Sequence, residues 1–478
     1  MGLGALGTSA PLCAWLFATT TFATTTGVSF LIDRLFNVWQ RLTGSLWFVP
    51  GIMVLGAVAV AMLLVDASTH VDANTLAAYP RAFGATPESS SKMLSTIAGA
   101  IITVAGVTFS VLVVAVAQAS SQYTPRVLRN FMRDRLSQVT LGALVGVFIY
   151  CLVVLRTIRA EQGQTFLPAI AVLGALVFAV LAVALLVYFI HHIASTLEVG
   201  SIVANIAGET IAAIDRQYAD DDADENNTAS VHWLAALDQG GMRWWTVQSW
   251  STGYIQYIEL ESLCALAHEV HCVVRLHYGA GDFIVAGGPM LQVLAADPPH
   301  EKFIRELRSR FVIDSYRTVY QDVGFGIRQM VDIANKALSP GINDPTTAIT
   351  CIEYLSAIFV RLVTKRFEDS HRYVGERLCL IQPPRRFDEF LSDGFTEIRR
   401  SGSTQPRVLA SVLRALEIIA LAARTSDRLH AVDEQLRLVH ESLEASPGPI
   451  ADRERALRLC SRIQTQLHPR VGAENRIS

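Results

Sequence analysis

Four sets of residues in this 478-residue sequence have types and spacings that could do chemistry. The first is His268, His271 and Cys272 in "HEVHC", side chains of the kind that bind zinc. A helical zinc motif needs histidines four residues apart, and no second cluster with ligand spacing accompanies these; structural or surface histidines are the expectation, and no metal is assigned. The second is the acidic run 220–227, "DDDADENN", which lacks the glycine-centred spacing of a calcium loop and reads as a solvated linker. The third surrounds "ALSPGINDPTTA": Arg328, Asp332 and Lys336 lie one turn apart on a helix, and Asn343 and Asp344 follow at its end. The fourth is a run of small and hydroxylic residues, Ser95, Gly99, Thr103, Gly106, Ser110 and Ser121, at steps that share one helical face.

The elements that must carry these sets differ sharply. A chain that is 51% hydrophobic and 17% charged is too apolar for an ordinary soluble enzyme of this length. The excess sits in four windows without Asp, Glu, Lys or Arg, residues 46–65, 93–117, 136–155 and 166–190. Each holds the roughly 20 residues that a helix needs to cross a bilayer, so four spans are expected. Arg34 and Arg41 precede the first span, and Arg126, Arg129, Arg133 and Arg135 crowd the loop between the second and third. The positive-inside rule therefore places that loop, and everything after residue 190, in the cytoplasm of a bacterial inner-membrane protein. Seven scattered cysteines without CxxC pairs agree with a reducing compartment. Adjacent His191 and His192 suit interfacial anchoring, and a helical stalk is expected to run on to about Arg216.

The small-residue face belongs to the second span and runs about 39 Å along it. Two readings are open. Small residues let helices pack closely in lipid, and their hydroxyls can bond across the contact. Copies of the helix could instead line a narrow pore, with Gln118 and Ser121 at its cytoplasmic mouth and Arg126 and Arg129 just beyond. No Asp, Glu, Lys, Arg or His lies within the four windows, which disfavours a proton pump or a voltage sensor.

Past the membrane region, "WWTVQSW", "GYIQYI", "HCVVRLHY", "DFIVAGG" and "MLQVLA" alternate as short strands with Gly-rich turns, and "ELESLCALA" reads as a helix between them. No lysine occurs between Lys92 and Lys302, which excludes a lipoyl or biotinyl attachment in this module. After Asp297 the chain turns helical and largely stays so. Ser339-Pro340-Gly341 suits a turn, Asp344 an N-cap and Pro345 the first helical position, giving a stiff helical hairpin. Asn343 and Asp344 are also candidates to dock a basic group, with Arg317, Arg328 or Lys336 as partners, or a ligand.

Long stretches of the chain, "STIAGAIITVAGVTFSVLVVAVAQASSQYTPRVLRNF", "GYIQYIELESL", "GDFIVAGGP" and above all "YQDVGFGIRQMVDIANKALSPGINDPTTA", resemble the bacterial family of predicted membrane proteins grouped as domain of unknown function 2254. The resemblance covers about residues 31–363. It implies a four-span inner-membrane protein with a cytoplasmic domain and carries no activity.

The expected fold is a mainly α membrane protein, with four transmembrane helices and a cytoplasmic α+β region. Its parts are an N-terminal segment at 1–45, either disordered or an extra span; the membrane domain at 46–190; and a juxtamembrane helix and acidic linker at 191–240. A small β-rich module at 241–297, a helical region with the hairpin at 298–400 and a helical tail at 401–478 follow. No serine-nucleophile elbow, phosphate-binding loop or dinucleotide fingerprint is present, so no catalytic residue and no cofactor is assigned. A net charge of −3 disfavours nucleic acid. The function expected is an oligomeric channel or transporter, with a membrane-anchored scaffold or sensor as the alternative and a membrane-anchored enzyme less favoured. The expected partners are the lipid bilayer and further copies of the chain.

Overall fold

The computed structural model describes residues 47–70, 86–122, 134–161, 164–196, 198–220, 242–367, 370–375, 377–383, 385–447 and 449–474. They form two compact units, the first made of the described residues up to Ser195 other than Gln122, the second of Gln122 and the described residues from Thr196 on.

The first unit contains α1 (Phe48–Thr69), α2 (Pro87–Gln122), α3 (Arg135–Thr157), a small antiparallel pair β1 (Arg159–Glu161) and β2 (Gln164–Phe166), and α4 (Ala169–Thr196). Prolines within α1 and α2 fall in the first turn, where a missing amide hydrogen costs nothing. Asp134 caps α3, accepting from the amides of Leu136 and Ser137 at 3.4 and 3.0 Å. The interior is built from Leu94, Ala98, Ile101 and Ala105 of α2, Leu144, Tyr150, Cys151 and Val154 of α3, and Ala171 and Ala175 of α4. Tyr150 donates its hydroxyl to the Ala171 carbonyl at 2.8 Å, so the polar tip of a buried ring is satisfied. Helices α1 and α3 meet at Gly142 and Gly146. A Cβ on Gly142 would lie 2.8 Å from Met53 Sδ and 2.9 Å from Pro50 Cα, so only glycine permits this approach.

The second unit opens with α5 (Val199–Gln217), then β3 (Arg243–Gln248), β4 (Gly253–Ile258), α6 (Leu260–Glu269), β5 (Val273–Leu276), β6 (Phe283–Ile284) and β7 (Pro289–Ala295). Next come α7 (Glu301–Ser309), β8 (Phe311–Asp314), α8 (Val323–Ala337), α9 (Pro345–Val363), β9 (His371–Val374) and β10 (Arg377–Ile381). The tail is α10 (Phe387–Ser401), α11 (Pro406–Ala422), α12 (Ser426–Glu444) and α13 (Ile450–Glu474). One sheet has the order β3-β7-β5-β10-β9, antiparallel except for β5 beside β10; the other is β6-β4-β8. Val274, Leu276, Leu291 and Val293 of the larger sheet share a core with Leu263 of α6 and Leu307 of α7.

Five described helices are long and apolar enough to cross a membrane, one more than the four expected. The fifth, α9, is packed among α5, α8 and α11 within the second unit, where Cys351, Ile352, Leu355, Ile358, Phe359 and Leu362 are buried. The stalk is two helices: α4 ends at Thr196, and α5 turns Ile202, Ile206 and Ile214 into the core of the second unit. The stretch 298–400, read as helical, also contains β8, β9 and β10. The β9–β10 turn is carried by Gly375 at φ +62°, a left-handed conformation suited to glycine. Residues 1–45 and most of the acidic linker lie outside the described residues.

Candidate functional site

Helix α2 separates two faces cleanly. Leu94, Ala98, Ile101, Ala105, Leu112 and Ala115 are buried, while Ser95, Gly99, Thr103, Gly106, Ser110 and Gln118 are exposed. The small-residue stripe therefore points away from the bundle that its own unit forms. Thr103 donates its hydroxyl to the Gly99 carbonyl at 2.8 Å, and Ser110 donates to Gly106 at 3.0 Å, so both hydroxyls are satisfied within the helix. A Cβ built on Gly99 or Gly106 meets no atom within 4 Å. An open groove of about 480 Å³ runs along Thr103, Gly106, Val107, Ser110, Val111 and Val114. Ser121 lies in the last turn of α2, and Arg126 and Arg129 lie outside the described residues.

Asp134 at the start of α3 faces His192 near the end of α4, with Oδ1 and Nε2 3.2 Å apart. Burial raises the Asp134 pKa, but the hydroxyl and amide of Ser137, together with His192, outweigh it and hold the carboxyl below its ordinary value.

The residues around the Pro-Gly turn go to different tasks. Asp344 caps α9, accepting from the amides of Thr346 and Thr347 at 3.1 Å each and from the Thr347 hydroxyl at 2.5 Å. These bonds, the hydroxyl's first, hold its carboxyl below the ordinary value. Asn343 adopts φ +48°, a left-handed conformation that asparagine tolerates, and its side-chain oxygen accepts from Gln405 at 3.1 Å. Arg328 turns away from this corner: it pairs with Asp332 at 2.8 Å and forks onto Glu397 of α10, which also accepts from Asn335 at 2.8 Å. The four candidates thus form two local assemblies, a cap at Asp344 and an ion-pair group at Arg328.

A cluster that the sequence reading did not single out lies where the β module meets the helices. Asp322, with its side chain only 1% exposed, caps α8 through the Phe325 amide at 3.0 Å and receives Arg317 at 2.7 Å and Arg385 at 3.4 Å. Arg385 also donates to the Ala280 carbonyl at 3.2 Å. The turn above it comes so close that a Cβ on Gly281, at φ +93°, would sit 2.0 Å from Asp322 Oδ2. Nearby, burial pushes the Asp393 carboxyl up, opposed by the charges of Arg385 and Arg328. The available signal was an Asp directly before a helix, together with the Gly-Ala-Gly turn at 279–281. Nothing in the spacing joins the two.

His271 and Cys272 do not converge with further ligands. Among the described residues no three His, Cys, Asp or Glu side chains gather around a point. His271 Nδ1 faces the Arg377 guanidinium at 2.6 Å, and burial pushes the Cys272 thiol up to about 11.

Comparison with known proteins adds the family. The chain is 30% identical over 477 residues to an uncharacterized protein of Mycobacterium tuberculosis and to one of Mycobacterium bovis, covering 96% of this chain and 86% of each relative. No solved structure matches it. The family described as "Predicted membrane protein (DUF2254)" matches residues 43–418, which reaches past the hairpin and through most of α11. With spans, hairpin and β module all inside that match, the chain belongs to the DUF2254 family of predicted membrane proteins.

Proposed function

We propose that this multi-pass membrane protein assembles through α2 into an oligomeric channel or transporter, with the small-residue stripe facing the symmetry axis. One observation carries the reading: the stripe is turned outward from its own helix bundle. Packing within the chain uses Gly142 and Gly146 of α3 instead, so Gly99 and Gly106 are left for contact outside it. A stripe of this kind around an axis would present hydroxyls at Thr103 and Ser110 without leaving any buried donor unsatisfied. The arginines of the second loop, together with Arg34 and Arg41, support an inner-membrane orientation with the second unit in the cytoplasm, where it would assemble or gate the pore.

Ion flux through liposomes containing the purified chain tests this. The wild type should conduct, and Ser110→Leu, which adds bulk to a residue lining the groove, should reduce conductance. Background leak in both would favour a membrane-anchored scaffold or sensor.

A further inference from the structure

Helix α11 buries one side completely: Val408, Leu409, Val412, Leu413, Leu416 and Ile419 are inaccessible. Its opposite side is unusual for a helix facing water. At 3.6 residues per turn, Arg407, Ala410, Arg414, Ile418 and Leu421 fall on one outward line. Both arginines are exposed on it, and Ile418 and Leu421 are 49% and 72% exposed. The acid of this helix, Glu417, lies to the side of the line and is paired with Arg462 of α13 at 3.1 Å. The line therefore carries two cations, two large aliphatic side chains and no anion.

We infer that this outward line of α11 docks on an anionic lipid surface. Leucine and isoleucine enter the boundary between headgroups and acyl chains, while the arginines lay their stems along the same boundary and reach the phosphates. A second copy of the chain fits worse. A two-fold interface would place the line against itself, bringing arginines together with no carboxylate on the line to answer them. The chain is already tethered to a bilayer by the spans of its first unit, so docking needs little intrinsic affinity. The inference stands whether or not α2 conducts.

The test uses the full chain in liposomes, with Leu421→Cys labelled by an environment-sensitive fluorophore and brominated acyl chains as quencher. The described native cysteines are all buried, and Cys13→Ser removes the remaining one. Vesicles containing phosphatidylglycerol should quench the label, and phosphatidylcholine alone should not. Arg407→Gln with Arg414→Gln should lower the docked-to-free ratio about 25-fold, at about one factor of five per arginine. Because both arginines are exposed, the double variant should keep its fold; a label at Ile418→Cys repeats the reading from an independent site. Equal quenching in both lipids, or none in either, overturns the inference. Quenching that rises with the protein-to-lipid ratio would assign the line to a second copy and overturn it as well.

Discussion

Thr103 and Ser110 in the membrane unit and Asp322 in the second unit are polar groups that point in opposite directions. The two hydroxyls face outward and spend their hydrogen bonds on their own helix. Asp322 faces inward and is held by two arginines and a backbone amide. Each arrangement follows from its solvent. In a membrane-spanning segment, a polar group turned away from its own bundle is satisfied by the helix that carries it, whether lipid or a neighbouring copy lies beyond. Water hydrates exposed charges well, so a carboxylate enters the interior only where cations compensate the lost hydration. Lys365 repeats the second pattern: it is 3% exposed and lies 2.9 Å from both Asp215 and Asp220. Close approach of α1 and α3 in the membrane unit rests on glycine instead, at Gly142.

The contrast predicts where damage should be greatest. Asp322→Ala leaves Arg317 and Arg385 beside a void and frees the first turn of α8, which should cost the second unit about 3 kcal/mol. Denaturant unfolding followed by tryptophan fluorescence measures this, and a loss below about 1 kcal/mol would mean that the arginines find water or other partners.

Within the membrane unit, glycines should behave oppositely according to the face they occupy. Gly142→Leu must push against Met53 and Pro50 and should destabilise the helix bundle by about 2 kcal/mol, read as a lowered midpoint in detergent. Gly106→Leu meets open space in the monomer and should leave that midpoint unchanged while altering the oligomeric state. Equal midpoints for the two variants would erase the distinction between the sealed and the open face.

Much of this was legible in the sequence because hydropathy is a local signal. The four windows locate α1 and α3 to within about a turn, whereas α2 and α4 run on past their windows; α2 starts earlier, where Pro87 and the Glu88–Lys92 pair at 2.7 Å extend the helix in polar residues. The Asp344-Pro345 cap was legible for the same reason. Direction was not. The spacing of Ser95, Gly99 and Thr103 defines a face but not what lies opposite it, and the bundle turned out to use the neighbouring line through Leu94, Ala98 and Ile101. Partnership at a distance was equally hidden. Arg328 reaches Glu397 across 69 positions, and Arg385 reaches Asp322 across 63.

The cap offers a smaller test of local against distant bonding. Asp344→Ala removes three bonds made within three residues and should cost about 1 kcal/mol, with membrane insertion intact. Asp344→Asn, which keeps an acceptor, should recover most of that loss. A loss of several kcal/mol would instead mean that this corner supports contacts well beyond its own helix.

Glu397 sharpens the comparison at its weakest point, because its ion pair is only half withdrawn from water. Glu397 and Arg328 are 43% and 36% exposed, so screening should limit the pair to about 0.5 kcal/mol, well below the buried Asp322 group. Its hydrogen bonds from Arg328, against the opposing effect of burial, hold the carboxyl below the ordinary value of 4.5. A depressed carboxyl contributes its stability in full above the unfolded value and loses it as pH falls through the folded one. Unfolding midpoints of the wild type should therefore drop on acidification below 4.5, and Glu397→Gln should flatten part of that drop while changing little at neutral pH. If the acid slope is the same in both, the fork between α8 and α10 holds no net free energy. Inward burial rather than ion pairing itself would then account for the whole difference between Asp322 and Glu397.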